Sequence, residues 1–200
     1  MARTSNNTNG ASKKNGAPKT QNQSSKTEKK GSQTLNDLFE EELKDMYSAE
    51  TQLIEALPKM ARAAYSEDLQ DAFEKHLQET QRQAERLEKI FERLDIDKED
   101  EEHCEAMEGL IKEADQIMEE FERSPVRDSA LIIAAQKVEH YEIASYGSLC
   151  ELADVLGYSK IAEMLDRTLQ EEEETDEHLT SIAQDVNDEA YEQHMEEETV

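Results

Sequence analysis

Tryptophan is absent from this chain, and glycine, proline and cysteine are scarce, at six, three and two in 200 residues. So few glycines and prolines leave long uninterrupted helices open to it. Two cysteines, Cys104 and Cys150, do not make a disulfide framework. The expectation is a cytoplasmic protein with reduced thiols. No apolar run approaches the roughly 20 residues of a membrane span. The N-terminus lacks the apolar stretch of a secretory signal, so a membrane partner is not expected. Positive charge is also short: 22 Lys+Arg stand against 49 Asp+Glu, a formal net charge of −27. What remains abundant, Glu, Ala, Leu, Gln and Lys, favours helix.

The few positive charges are unevenly placed. Residues 1–33 hold seven Lys/Arg and one acid, a formal +6, which leaves −33 of the total −27 on residues 34–200. Three alanines and one methionine are the apolar content of that first segment. They cannot offset its ordering entropy, so 1–33 reads as a disordered basic tail. Its lysines suit weak contact with nucleic acid or an acidic partner, or simply a solubilising role beside its own acidic body. Residues 188–200 read as a frayed acidic end.

Between these ends the helix signals are clear. Thr34 with Asp37 forms a capping-box pattern before a helix over about 34–64. Pro58 should kink or loosen that helix. Ser66, followed by Glu67 and Asp68, opens a second helix running to about 95. A shorter amphipathic helix spans about 104–122. Ser124–Pro125 starts another long one, which Gly157 stops near 156. The last helix runs over about 160–187.

Each long helix carries an apolar seam with steps of three or four residues, and each seam is interrupted by polar groups. Leu43, Met46, Glu50, Leu53 and Leu57 make the first. Phe73, His76, Thr80, Gln83 and Leu87 make the second. Ala135, Val138, Glu142, Ser145 and Leu149 make the third, and Leu165, Leu169, Glu172, Asp176 and Leu179 the fourth. Such spacing packs helices into a bundle. Ionised carboxylates on a packed face are costly unless paired, hydrogen-bonded or bound to a cation.

The layout repeats: long helix, tight turn, long helix, over 34–95 and again over 126–187. Within each hairpin the candidate ligands lie about 15 residues either side of the turn, roughly 22 Å from it at about 1.5 Å per residue, and so at one height. The predicted fold is all-α: a ferritin-like four-helix bundle of two antiparallel αα-hairpins, with a short fifth helix in the crossover. In such bundles a dinuclear site takes a Glu from each of two helices and a Glu-plus-His pair from each of the others. Here Glu50 and Glu142 are the single carboxylates, Glu79 with His76 comes from the second helix, and Glu172 with Asp176 from the fourth. Glu139, three before Glu142, can reach the same layer. Oxygen ligands with one nitrogen suit iron or manganese.

The pattern departs from the usual one. Glu-x-x-His is reversed in His76-x-x-Glu79 and replaced by Glu172-x-x-x-Asp176, and Gln83 stands where a further histidine would fit. His140 and His178 read as edge and surface residues.

The runs LFEEELKDMYSAETQLIEALPKMARA, HLQET, CEAMEGLIKEA, VRDSALIIAAQKVEHYEIASYGSL and LADVLGYSKIAEMLDRTLQEEEETD resemble the YciE/YciF family of bacterial stress-induced proteins over about 34–187. The resemblance implies a ferritin-like, rubrerythrin-related fold, a homodimer and a dinuclear metal site, with no defined reaction. The basic tail lies outside the family pattern. Two function classes follow. One is a dinuclear oxidase, peroxidase or ferroxidase-type protein protecting against stress. The other is a non-catalytic helical dimer that binds partners and keeps a vestigial site.

Overall fold

The structure, a computed structural model, describes residues 33–97 and 103–198. The basic segment 1–32 lies outside the described residues. Those described form five helices: α1 (Leu35–Ala63), α2 (Glu67–Leu94), α3 (Glu105–Glu120), α4 (Pro125–Val155) and α5 (Ser159–Glu198). No strand occurs among the described residues. None of the helices is long and apolar enough to cross a membrane.

Local chemistry sets the boundaries. The Thr34 hydroxyl accepts from the Asp37 N–H at 3.2 Å, while Asp37 Oδ2 accepts from the Thr34 N–H at 2.8 Å, completing the capping box. Ser66 caps α2 through the Leu69 N–H. Pro125 starts α4, where its missing N–H costs nothing. Gly157 closes α4 with φ +83°, a conformation glycine adopts without strain. Pro58 does not end α1, which runs continuously through it. The sequence expectation stops the last helix near 187. It continues to Glu198 because no Gly or Pro interrupts a run rich in Glu, Ala, Gln and Met.

α1 pairs with α2 and α4 with α5 as hairpins, and α1 also meets α4 while α2 meets α5, closing a four-helix ring. α3 lies against α1 and α4 as the crossover. The core follows the seams: Phe39, Leu43, Met46, Leu53, Leu57 and Met60 from α1 face Leu69, Phe73, Leu87 and Ile90 from α2. Leu131, Leu149, Leu165 and Leu179 come from the second hairpin. Each such large side chain contributes about 1.5–3 kcal/mol of transfer free energy.

Two clamps fix the hairpins. At the α1–α2 turn, buried Asp128 accepts from the Tyr65 and Ser66 N–H groups, both at 2.7 Å. Arg127 donates to the Ala63 carbonyl at 2.7 Å, and Arg123 to the Ala64 carbonyl at 2.8 Å. These charged groups satisfy the orphan carbonyls and N–H groups where α1 ends and α2 begins. At the start of α3, the buried Cys104 N–H donates to Ser48 Oγ at 3.0 Å, and Gln52 donates to the Cys104 carbonyl at 3.1 Å. The Cys104 thiol lies 3.2 Å from Asp45 Oδ2 and 3.1 Å from the Tyr141 hydroxyl, with burial first among the causes that raise its pKa. This cysteine ties α3 to α1 and α4.

Candidate metal centre

The bundle's polar layer sits where the four seams break. His76 from α2, Glu139 and Glu142 from α4, and Glu172 from α5 each offer one ligand atom, and these atoms all lie within 4.8 Å of one another. All four side chains are buried. Glu50, on the α1 seam, is buried with them, and its charge is felt by Glu139 and Glu142. A carboxyl so placed must be neutral or must face positive charge.

The proton affinities follow from that burial. Removal from water pushes the Glu50 carboxyl well above the ordinary range, with the Glu172 charge adding to it. Glu139 and Glu142 are raised in the same way, by burial first and by Glu172 next. Burial brings Glu172 up to about 7. His76 moves the other way, down to about 4, chiefly because burial disfavours the imidazolium. It is therefore a neutral imidazole at physiological pH, the form that ligates metal. Its Nε2 lies 3.3 Å from Glu139 Oε1. This close approach is not an ion pair, and the geometry does not make a hydrogen bond.

The polar atoms of the layer test whether a metal fits. Both His76 nitrogens, both Glu142 oxygens, and one oxygen each of Glu50, Glu139 and Glu172 are buried without a hydrogen-bond partner among the described residues. Leaving buried polar atoms unmade costs about 1–3 kcal/mol each. With three carboxylates and one imidazole nitrogen, the His76, Glu139, Glu142 and Glu172 cluster could hold a metal ion.

Other atoms of the same residues are held in place. The Tyr146 hydroxyl, fully buried, donates to Glu50 Oε1 from α4 across to α1. The Gln83 amide donates to Glu172 Oε1 and, at 3.2 Å, to Glu171 Oε2. Arg86 grips Glu171 through two N–H groups, each at 3.0 Å, and also reaches the Thr168 hydroxyl. Supporting residues of this kind orient metal ligands.

Of the seven sequence-derived candidates, the structure brings His76, Glu139, Glu142 and Glu172 together, with Glu50 coupled to them. Glu79 and Asp176 are not in that cluster, though the Glu79 charge is felt by Glu172 and the Asp176 charge by Glu139. Glu79 is off the α2 seam, near Lys75 at 3.3 Å and Arg82 at 3.7 Å. Asp176 accepts from Gln136 at 3.1 Å and lies 3.4 Å from His140. The inward position of α5 at that level belongs to buried Thr175. Tyr146 and Arg86 are absent from the sequence reading. Tyr146 is four residues after Glu142 on one helix face, a signal present in the spacing. Nothing local marks Arg86. Tyr47 is distant in role: its hydroxyl donates to Glu88 at 2.8 Å and its ring meets Phe91 edge-on.

Comparison with known proteins places this geometry in context. The profile of a family described as a domain of unknown function, DUF892, matches residues 34–192. Protein YciF of Escherichia coli strain K12 is 53% identical over 150 residues, 75% of this chain and 90% of that protein. The crystal structure of that E. coli stress protein superposes with a TM-score of 0.75 at 51% identity, covering 78% of this chain and 98% of the other. YcfI of Rhodopseudomonas palustris superposes with a TM-score of 0.72 at 42% identity, covering 76% and 96%. A protein from Xanthomonas campestris pv. campestris, 22% identical with a TM-score of 0.63, shares the fold over 81% and 99%.

Proposed function

The chain belongs to the DUF892 family, and from that premise we propose that it is a cytoplasmic, ferritin-like stress-response protein built around a dinuclear iron or manganese centre. The observation that carries this reading is the cluster of His76, Glu139, Glu142 and Glu172 from three helices, with ligand atoms within 4.8 Å of one another, together with buried Glu50 of α1, all five carrying polar atoms without hydrogen-bond partners among the described residues. Glu142, Glu139, Glu172 and His76 would hold the metal, with Glu50 as the carboxylate from α1. When bound, the metal pair would supply redox chemistry for a protective reaction with oxygen or a peroxide.

The chain's own residues then do the following. Burial keeps His76 neutral, with one ring nitrogen carrying the proton and the other able to donate an electron pair. Tyr146 fixes the rotamer of Glu50 from the opposite hairpin. Gln83 fixes Glu172, while Arg86 and Glu171 close the side of the layer facing solvent. In the metal-free chain the raised proton affinities let the carboxyls hold protons rather than repel one another. Metal binding therefore displaces protons.

The same protonation supports a second reading, a non-catalytic helical dimer in which the layer is a protonated polar seam. Exposed Val126 and Ile133 on α4 suit a partner copy in either case. Elemental analysis after purification without chelator, with anomalous scattering at the bundle centre, separates the two. About two metal ions per chain between Glu142 and Glu172 favours the centre. None after incubation with Fe(II) or Mn(II) favours the seam.

A further inference from the structure

An apolar pocket opens between α2 and α5 and ends on the polar layer. Its walls come from all four bundle helices: Leu57 and Met60 of α1, Phe73 of α2, Val138 of α4 and Leu179 of α5 are among them. His76 and Glu139 also line it, and both carry buried atoms without partners. Lys75, Glu79 and His178 line it too, and Lys75 and His178 are exposed. The space open to the centre of a water-sized molecule is ≈ 20 Å³. That is just above the ~10–15 Å³ one water requires.

We infer that this pocket is a binding site for an uncharged, apolar molecule of diatomic size, dioxygen being the member of that class with redox chemistry, and that it leads such a molecule to the His76–Glu139 side of the layer. The choice of ligand follows from the walls. An ion would lose its hydration along the leucine, phenylalanine and valine walls and meet charge only at the Lys75–Glu79 mouth and at Glu139. Water and hydrogen peroxide need several hydrogen-bond partners, which they would find at the His76–Glu139 end and at the Lys75–Glu79–His178 mouth but not along Leu57, Met60, Phe73, Val138 and Leu179. Apolar stretches such as the Leu57–Phe73–Val138–Leu179 walls favour apolar guests over water. The size excludes organic substrates. The inference rests on the proposed metal centre for its purpose, not for the binding itself, so the two can fail separately.

The test uses the full-length, metal-free protein with labelled Leu, Val, Ile and Met methyl groups under dissolved dioxygen, a paramagnetic probe. The methyls of Leu57, Met60, Val138 and Leu179 should relax several-fold faster than those of Leu87 and Ile90, which are also buried but outside the pocket. Ala135→Leu, which extends into the pocket, should remove that excess. Ala72→Leu does the same from α2 if the first variant fails to fold. Hydrogen peroxide at matched concentration should leave the four methyl shifts unmoved. Uniform relaxation across the six residues, or a peroxide shift in the pocket methyls, overturns the inference whether or not metal binds. An oxygen effect confined to the pocket upholds it even if elemental analysis finds no metal.

Discussion

His76 Nε2 stands 3.3 Å from Glu139 Oε1, from α2 across to α4, yet neither ring nitrogen of His76 has a hydrogen-bond partner among the described residues. Burial holds the ring neutral, with its pKa down to about 4. Such a pair contributes little to the metal-free fold, because each member is desolvated without return. Replacing His76→Leu, close in volume and apolar, should leave metal-free stability unchanged or raise it. The same variant should weaken Fe(II) or Mn(II) binding by tenfold or more. Chemical denaturation and metal titration on one preparation check both halves. A strongly destabilised metal-free variant would show that His76 is there for the fold.

The hydrogen bond from Tyr146 to Glu50 predicts the opposite balance. Tyr146→Phe leaves the Glu50 oxygen buried and unsatisfied, at a cost of about 1–3 kcal/mol. Metal-free stability should fall by that amount in urea denaturation with the m-value unchanged. An unchanged midpoint would show that the bond adds nothing.

Acidity should stabilise the metal-free protein, and the sign can be worked out. The carboxyls of Glu50, Glu139, Glu142 and Glu172 bind protons more tightly folded than unfolded. Between the ordinary 4.5 and the folded value, therefore, stability falls as pH rises, and for Glu172 that window ends at about 7. His76 opposes this between about 4 and 6.5, where the unfolded chain holds the extra proton. Above 6.5 the carboxyl slope stands alone. The melting temperature should fall from pH 6.5 to pH 8, and less steeply in Glu172→Gln. A melting temperature that rises over that range would contradict the assigned proton affinities.

At the far end of the bundle, Asp128→Ala strips both N–H groups at the α1–α2 turn of their acceptor. A loss of about 2–4 kcal/mol is expected, with metal content unaltered because the clamp is remote from the layer. Denaturation together with elemental analysis reads this out.

The helix ends were legible because Thr34, Ser66, Pro125 and Gly157 each act through their own backbone chemistry. The seams were legible to within one residue. On α5 the buried set Leu165, Thr168, Glu172, Thr175, Leu179, Ile182 and Val186 alternates steps of three and four, as supercoiled packing requires. Reading Leu169 and Asp176 into that seam follows the more apolar or more acidic neighbour, and the packing chose threonines instead. Ser145 stood for Tyr146 on α4 by the same one-residue slip. Glu79 was drawn in by its spacing from His76, but the α2 seam steps from His76 to Thr80 to Gln83 and leaves it on the rim. Arg86 and Gln83 act on Glu171 and Glu172 from more than 80 residues away in the chain, which no local pattern encodes.

Thermal melting of wild type and Glu142→Gln, with and without Fe(II) or Mn(II) under anaerobic conditions, bears most directly on the metal centre. Glu142 has both carboxylate oxygens buried without partners and sits beside Glu50, Glu139 and Glu172. Metal that binds the folded layer and not the unfolded chain must raise the wild-type melting temperature. The Gln variant should melt at or above the metal-free wild type, since one desolvated acid is removed, and should lose most of the metal-dependent rise. Identical wild-type melting with and without metal, with no metal retained by elemental analysis, would contradict the dinuclear centre and leave the layer a protonated polar seam.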